Sequence, residues 1–262
     1  MRPLSYLAVA AGAMLIGAAG ANAARRAAPA AVTTTHGEWV RIEKGQESIR
    51  AYVAYPERKD QAAGVIVIHE IFGLTDWEPT VADRLAKEGF VAVVPDLLSS
   101  KHGKTPKDEN EGRKLIGELE PERITADLDA TYAYLNGLPS VRKGDIGTIG
   151  FCWGGGQSFR YATTNPNLKA AVVCYGPAPD TAALRRIKAP VLGIYGENDA
   201  RINAALPDVN AAMETYGKTF TQEIFPGTGH GFLKPGREGN DGPQPARAWS
   251  RILEFYQARL GK

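Results

Sequence analysis

Gly150-Phe-Cys-Trp-Gly154 sets a cysteine between glycines directly behind the apolar run 145–149. At a strand-to-helix junction, Gly-x-Cys-x-Gly has the form of a nucleophile elbow with sulfur in the serine position. The nucleophile of such an elbow sits in a strained backbone conformation, and the glycines leave room where a Cβ would collide with neighbouring strand or helix. The turn aims the sulfur at the first turn of the next helix, whose unpaired N–H groups and positive dipole end favour thiolate over thiol. The N–H of Trp153 and one from the loop behind the first central strand, at Ile71, are the expected donors to a developing oxyanion. The plain alternative is that Cys152 is a small buried residue at a glycine-rich turn. The glycines at 150, 154 and 155 behind a clear strand favour the elbow.

A thiol in this role needs a base, and the chain has four histidines. His36 falls in an N-terminal linker, His69 inside or at the end of a strand, and His102 in a polar loop. His230 lies in Gly227-Thr-Gly-His-Gly-Phe232, behind the last strand, where an imidazole can swing over the carboxyl edge of a sheet. The third member must be an acid that orients the imidazole and stabilises its charged form. Asp199, in Gly196-Glu-Asn-Asp199, is the expected one, with Glu197 as rival and helix capping as the plain alternative. Nucleophile, acid, histidine is the chain order of the α/β-hydrolase arrangement.

The elements that must carry these residues are short continuous apolar runs at 64–68, 90–94, 145–149, 170–174 and 190–195, the pattern of strands covered on both faces. Helical stretches separate them. Trp77, Val81 and Leu85 recur at helical spacing and stop at Gly89; Ile124, Leu128, Tyr132 and Leu135 do so and stop at Gly137. Residues 38–43 and 48–55 alternate apolar and polar side chains, which suits an antiparallel edge pair. A strand at 219–225 and a last helix with Trp249, Ile252, Leu253, Tyr256 and Leu260 on its buried stripe close the domain. The expected class is therefore α/β, a mostly parallel sheet with helices on both faces and ligands at the carboxyl ends of the strands.

With 262 residues, 44% hydrophobic and 23% charged, the chain has the balance of a globular protein with a sizeable core. A net charge of +2 without a basic run gives no support for nucleic acid or an anionic membrane as partner and leaves a small molecule. Arg2, the apolar run 4–19 and Ala21-Asn-Ala23 read as an export signal over 1–23, too short for a membrane anchor, followed by an Ala/Pro/Thr linker over 24–36 and one domain over 37–262. Export points to a periplasmic or secreted protein. Cys152 and Cys174 are the only cysteines; both fall in core patterns, which disfavours a bridge. Nothing in the sequence fixes the oligomeric state.

These residues together resemble the dienelactone hydrolase family, through His69-Glu-Ile-Phe-Gly73, Pro95-Asp-Leu97, Gly150-Phe-Cys-Trp-Gly-Gly155, Gly196-Glu-Asn-Asp199 and Gly227-Thr-Gly-His-Gly-Phe232. The likeness runs from about residue 38 to the last helix. It implies the α/β-hydrolase fold and a hydrolase of esters or lactones without metal or organic cofactor. Cys152 would be the nucleophile, His230 the base and Asp199 the orienting acid. It also implies that Glu70 contacts the resting cysteine and helps generate the thiolate. The sequence departs from the family where substrate is recognised: Ser100, with Lys101 beside it, and Lys234 stand where the founding enzymes carry arginines. Lysine attracts a carboxylate as a point charge but lacks the planar fork, so Lys101 and Lys234 are the expected substrate-binding residues for a substrate that need not be dienelactone. The rival expectation is a non-catalytic small-molecule-binding protein on the same fold.

Overall fold

The computed structural model describes residues 34–261. The expected export signal, and the linker up to residue 33, lie outside them. Eight strands form one sheet in the order β1-β2-β4-β3-β5-β6-β7-β8. They are β1 (Thr35–Lys44), β2 (Glu47–Pro56), β3 (Ala62–Ile68), β4 (Val91–Pro95), β5 (Val141–Phe151), β6 (Ala170–Cys174), β7 (Val191–Gly196) and β8 (Phe220–Phe225). β1 pairs antiparallel with β2, and β2 antiparallel with β4; every pairing from β4 to β8 is parallel. The helices are α1 (Trp77–Lys87), α2 (Ser99–His102), α3 (Glu109–Ile116), α4 (Pro121–Gly137), α5 (Trp153–Thr164), α6 (Ala200–Asn203), α7 (Leu206–Thr215) and α8 (Gln244–Leu260).

The apolar runs form the central strands because both faces of the sheet are covered. In β3, Ile66 and Ile68 join a cluster with Leu128 and Leu135 of α4 and Phe159 of α5. Val65 and Val67 face the other way, to Val81 and Leu85 of α1 and Ile252 and Tyr256 of α8. A strand whose every residue is apolar can satisfy both layers, which is why β3 carries no alternation. β1, an edge strand, alternates only from Trp39 to Lys44 and is otherwise open to solvent.

From β3 the sheet grows in two directions, through β4 toward β1 and through β5 toward β8. The crevice at the carboxyl ends of β3 and β5 lies at that reversal, where open parallel sheets bind ligands. The first strand starts at Thr35, two residues ahead of the expected domain start. His36 therefore belongs to β1, where it stacks on Tyr55 at 4.8 Å, and not to a linker. His102 closes the short helix α2 instead of lying in open loop.

Candidate active site

Cys152 follows the last residue of β5 and precedes the first of α5, with φ 55° and ψ −117°. A non-glycine residue at positive φ is strained and persists only where its surroundings hold it. Here the Cys152 N–H is bound to the Cys174 carbonyl at 3.0 Å, and its own carbonyl accepts from Gly156 N–H at 3.2 Å. A Cβ on Gly150 would strike the Gly154 carbonyl, and one on Gly154 would strike the Ile68 and His69 carbonyls. The two glycines thus let α5 come down onto the ends of β5 and β3. Both cysteines are free thiols; Cys174 is fully buried, while Cys152 is partly exposed.

His230 and Asp199 arrive from the far side. Asp199 stands in front of α6 but gives its side chain to no helix N–H. Its Oδ2 instead lies 2.5 Å from His230 Nδ1. Glu197, the rival acid, accepts from the Gly227 N–H at 2.9 Å and so shapes the histidine loop instead of the imidazole. Burial works against a charge on His230, but hydrogen bonds to Cys152 and Asp199 outweigh it and push its pKa up to about 9. The imidazole is thus bound to the carboxylate, and the thiol is near enough to favour its charged form. The ring of Tyr175 packs edge-on against His230, 5.2 Å between centroids.

Of the two expected oxyanion donors, Trp153 directly follows the thiol and opens α5, and Ile71 lies in the loop behind β3. Neither N–H has a hydrogen-bond acceptor among the described residues. Glu70 is buried, and its Oε2 takes the Lys234 ammonium at 2.8 Å. The partner of Glu70 is thus Lys234, which hovers 5.5 and 5.4 Å from the Phe72 and Trp77 rings. Lys234, Phe72, Trp77, Arg50, Lys104 and Lys107 line a cleft of about 990 Å³. Of the two expected substrate lysines, Lys101 is not brought to this cleft: its ammonium donates to the Glu118 carbonyl at 2.8 Å. Ser100 likewise turns to Asp127, at 2.6 Å.

Three residues of the site carry weight that their sequence context did not reveal. His69, read as structural, bonds the Glu70 carbonyl in the loop that holds Ile71 and accepts from the Leu97 N–H in the loop behind β4. Asp96 of Pro95-Asp-Leu97 is buried and accepts from the Thr105 N–H and hydroxyl at 2.9 and 2.7 Å, and the Thr105 hydroxyl in turn takes the Leu74 N–H at 2.9 Å. That chain clamps the loop behind β4 to the loop behind β3. Tyr175, at φ 42°, has a buried hydroxyl without a partner among the described residues. Its place directly behind β6 was the available signal. Among the described residues, no cluster of three His, Cys, Asp or Glu side chains is placed to hold a metal, and no helix is long and apolar enough to cross a membrane.

The strand order, the elbow and the nucleophile-acid-histidine sequence along the chain define an α/β-hydrolase. A sequence model described as the Dienelactone hydrolase family matches residues 49–260, and the chain belongs to that family. It is 32% identical over 237 residues to a Synechocystis protein provisionally named a carboxymethylenebutenolidase, covering 84% of this chain and 96% of that one. A Salmonella typhimurium protein of the same provisional name is 32% identical over 264 residues, covering 90% and 95%. A crystal structure from Klebsiella pneumoniae, provisionally named a dienelactone hydrolase, superposes with TM-score 0.76 at 27% identity, covering 85% of this chain and 98% of that one. The protein is a hydrolase of carboxylic ester or lactone bonds acting on a small-molecule substrate.

Proposed function

We propose that the hydrolysis runs through a covalent acyl-cysteine on Cys152, with His230 as proton carrier and Asp199 as its orienting acid. The observation that carries this reading is the His230 imidazole bound to Asp199 through Nδ1, with the Cys152 thiol on the strained elbow adding to the rise in its pKa. Proton transfer from Cys152 to His230 yields a thiolate and an imidazolium. The thiolate attacks the carbonyl carbon, and the carbonyl π pair moves onto oxygen, where the Ile71 and Trp153 N–H groups stabilise it. Collapse breaks the bond to the leaving alkoxide, which takes the His230 proton. His230 then removes a proton from water as the hydroxide attacks the thioester, and the acid leaves with the thiolate and imidazolium restored. Acylation removes the thiol, one of the two partners that raise the His230 pKa, so the imidazolium gives its proton to the leaving alkoxide more readily and stands neutral to accept one from water in the second half.

Lys234 is the proposed contact for an anionic group on the substrate, in competition with Glu70, and the carboxymethylenebutenolidase name of the relatives is consistent with an acidic lactone. Lys101 keeps no part in this reading. The signal-like segment 1–23 supports export, followed by cleavage behind Ala23, to the periplasm or the medium. Mass measurement of the protein recovered from its native cells tests that part: a chain beginning at Ala24 supports it, and an intact Met1 terminus refutes it.

Cys152→Ala tests the chemistry. Turnover of short aryl esters should fall at least about 1,000-fold while the circular dichroism and melting curve stay native. Undiminished turnover would remove Cys152 from the reaction.

A further inference from the structure

β3 ends at Ile68, and the chain then leaves the sheet as a loop without ladder partners. The His69 side chain is fully buried beneath this loop. Its Nδ1 lies 2.8 Å from the Glu70 carbonyl oxygen, and its Nε2 lies 3.3 Å from the Leu97 nitrogen. A backbone N–H can only donate and a carbonyl can only accept. Nε2 is therefore the bare nitrogen and Nδ1 carries the hydrogen, which makes the ring a neutral strut, donor at one end and acceptor at the other.

What the strut holds is an oxyanion donor. The Glu70 carbonyl and the Ile71 N–H belong to one planar trans peptide and point in opposite directions, so anchoring the oxygen aims the N–H. The Gly73 N–H makes a second bond to the same oxygen at 3.2 Å. The other face of the strut meets the second donor: the His69 ring stacks on the Trp153 indole, 5.5 Å between centroids and 13° between planes. Gly154, with no Cβ, lets the start of α5 approach the Ile68 and His69 carbonyls closely enough for this stacking.

We propose that His69 is a positioning residue for acyl transfer, holding the Ile71 N–H through the Glu70 carbonyl and seating Trp153 by stacking. It exchanges no proton during turnover. The inference rests on the reading of Cys152 as acyl-forming nucleophile.

Two reactions at the same sulfur separate this role from a merely structural one. Ester hydrolysis passes through an oxyanion, whereas alkylation of Cys152 by iodoacetamide displaces iodide and forms none. In His69→Leu, kcat on an aryl acetate should fall roughly 10- to 100-fold, approaching the loss of one oxyanion donor. KM should stay within about twofold and the alkylation rate should match wild type, because recognition and the thiolate are untouched. His69→Gln carries a donor and an acceptor on one amide and should recover several-fold of the lost kcat. A His69→Leu kcat within twofold of wild type would overturn the role. So would alkylation falling in step with kcat, or a Gln variant no better than Leu. Should either variant fail to fold, nitrogen-15 shifts of His69 in the wild-type protein decide: Nδ1 protonated and Nε2 bare agrees with the strut, and the reverse tautomer overturns it. Cys152→Ala, run alongside, keeps the two claims apart. If that variant still turns over, the nucleophile reading fails; if it is inactive while His69→Leu is not, only the positioning role fails.

Discussion

At the scale of single residues, the site is a set of charges whose partners decide their state. His230 carries two opposing influences: burial removes solvation from the imidazolium, and the thiol and Asp199 carboxylate supply more than is lost. Its pKa of about 9 in the folded protein, against an ordinary 6.5, favours folding fully below pH 6.5 and loses that contribution as pH rises through about 9. Proton NMR of the imidazole should show a titration near pH 9 in the wild type. Cys152→Ala should move that titration downward, since burial still opposes the charge while one of its two supports is gone; an unchanged midpoint would mean that the thiol does not act on the ring. Asp199→Asn leaves the imidazole without its orienting anion and should lower kcat on the order of 1,000-fold or more, measured on aryl esters. Lys234 joins Phe72 and Trp77 in a cleft that also carries Arg50, Lys104 and Lys107. Lys234→Met should raise KM for carboxylate-bearing esters several-fold more than for neutral ones of the same size, and equal changes would take the lysine out of substrate recognition.

At the scale of elements, the elbow shows why a turn can be legible when a contact is not. The glycines at 150 and 154 face backbone carbonyls that no rotamer change can move aside, so the sequence there has little freedom. Gly154→Ala should therefore cost about 3 kcal/mol in urea unfolding even though it adds one methyl group. The central strands were legible for a related reason: a strand covered on both faces must be apolar, and β3, β4, β6 and β7 are, as is the buried half of β5 from Ile146 apart from Thr148. The fates of the two lysines were not legible. Long flexible side chains take whichever acceptor the tertiary fold brings near, and the Glu118 carbonyl, 17 residues from Lys101, left no trace at the level of spacing. The helices α3 and α7 went unread because their short amphipathic stretches are interrupted by charge and small residues, and their place is set by the sheet beneath them. His69 could be placed at a strand end, but its Leu97 partner comes from the loop behind β4, which it meets only after folding.

At the scale of the whole molecule, the parallel core and the antiparallel hairpin β1–β2 are joined by a polar seam. Lys44, at the end of β1, reaches the fully buried Asp127 of α4 at 2.5 Å and Glu47 at 2.9 Å. Arg123 binds Glu47 through two nitrogens at 2.9 and 3.0 Å. Removing the ammonium strands a carboxylate in the interior, so Lys44→Met should destabilise the protein by about 2 kcal/mol, less than a fully buried pair because Lys44 is partly exposed. Adding Asp127→Asn should recover most of that, since the amide oxygen still accepts from Ser100; denaturant midpoints of the two variants test it. The same architecture carries the chemistry, because only the reversal of strand order at β3 opens a crevice over which β5, β7 and β8 can deliver cysteine, aspartate and histidine. The most direct measurement of that convergence is rapid quenching of the wild-type protein with an aryl ester, followed by peptide mass spectrometry. An acyl group on the peptide containing Cys152, formed and lost at rates that account for kcat, is the predicted result; steady turnover with that peptide unmodified throughout would contradict it.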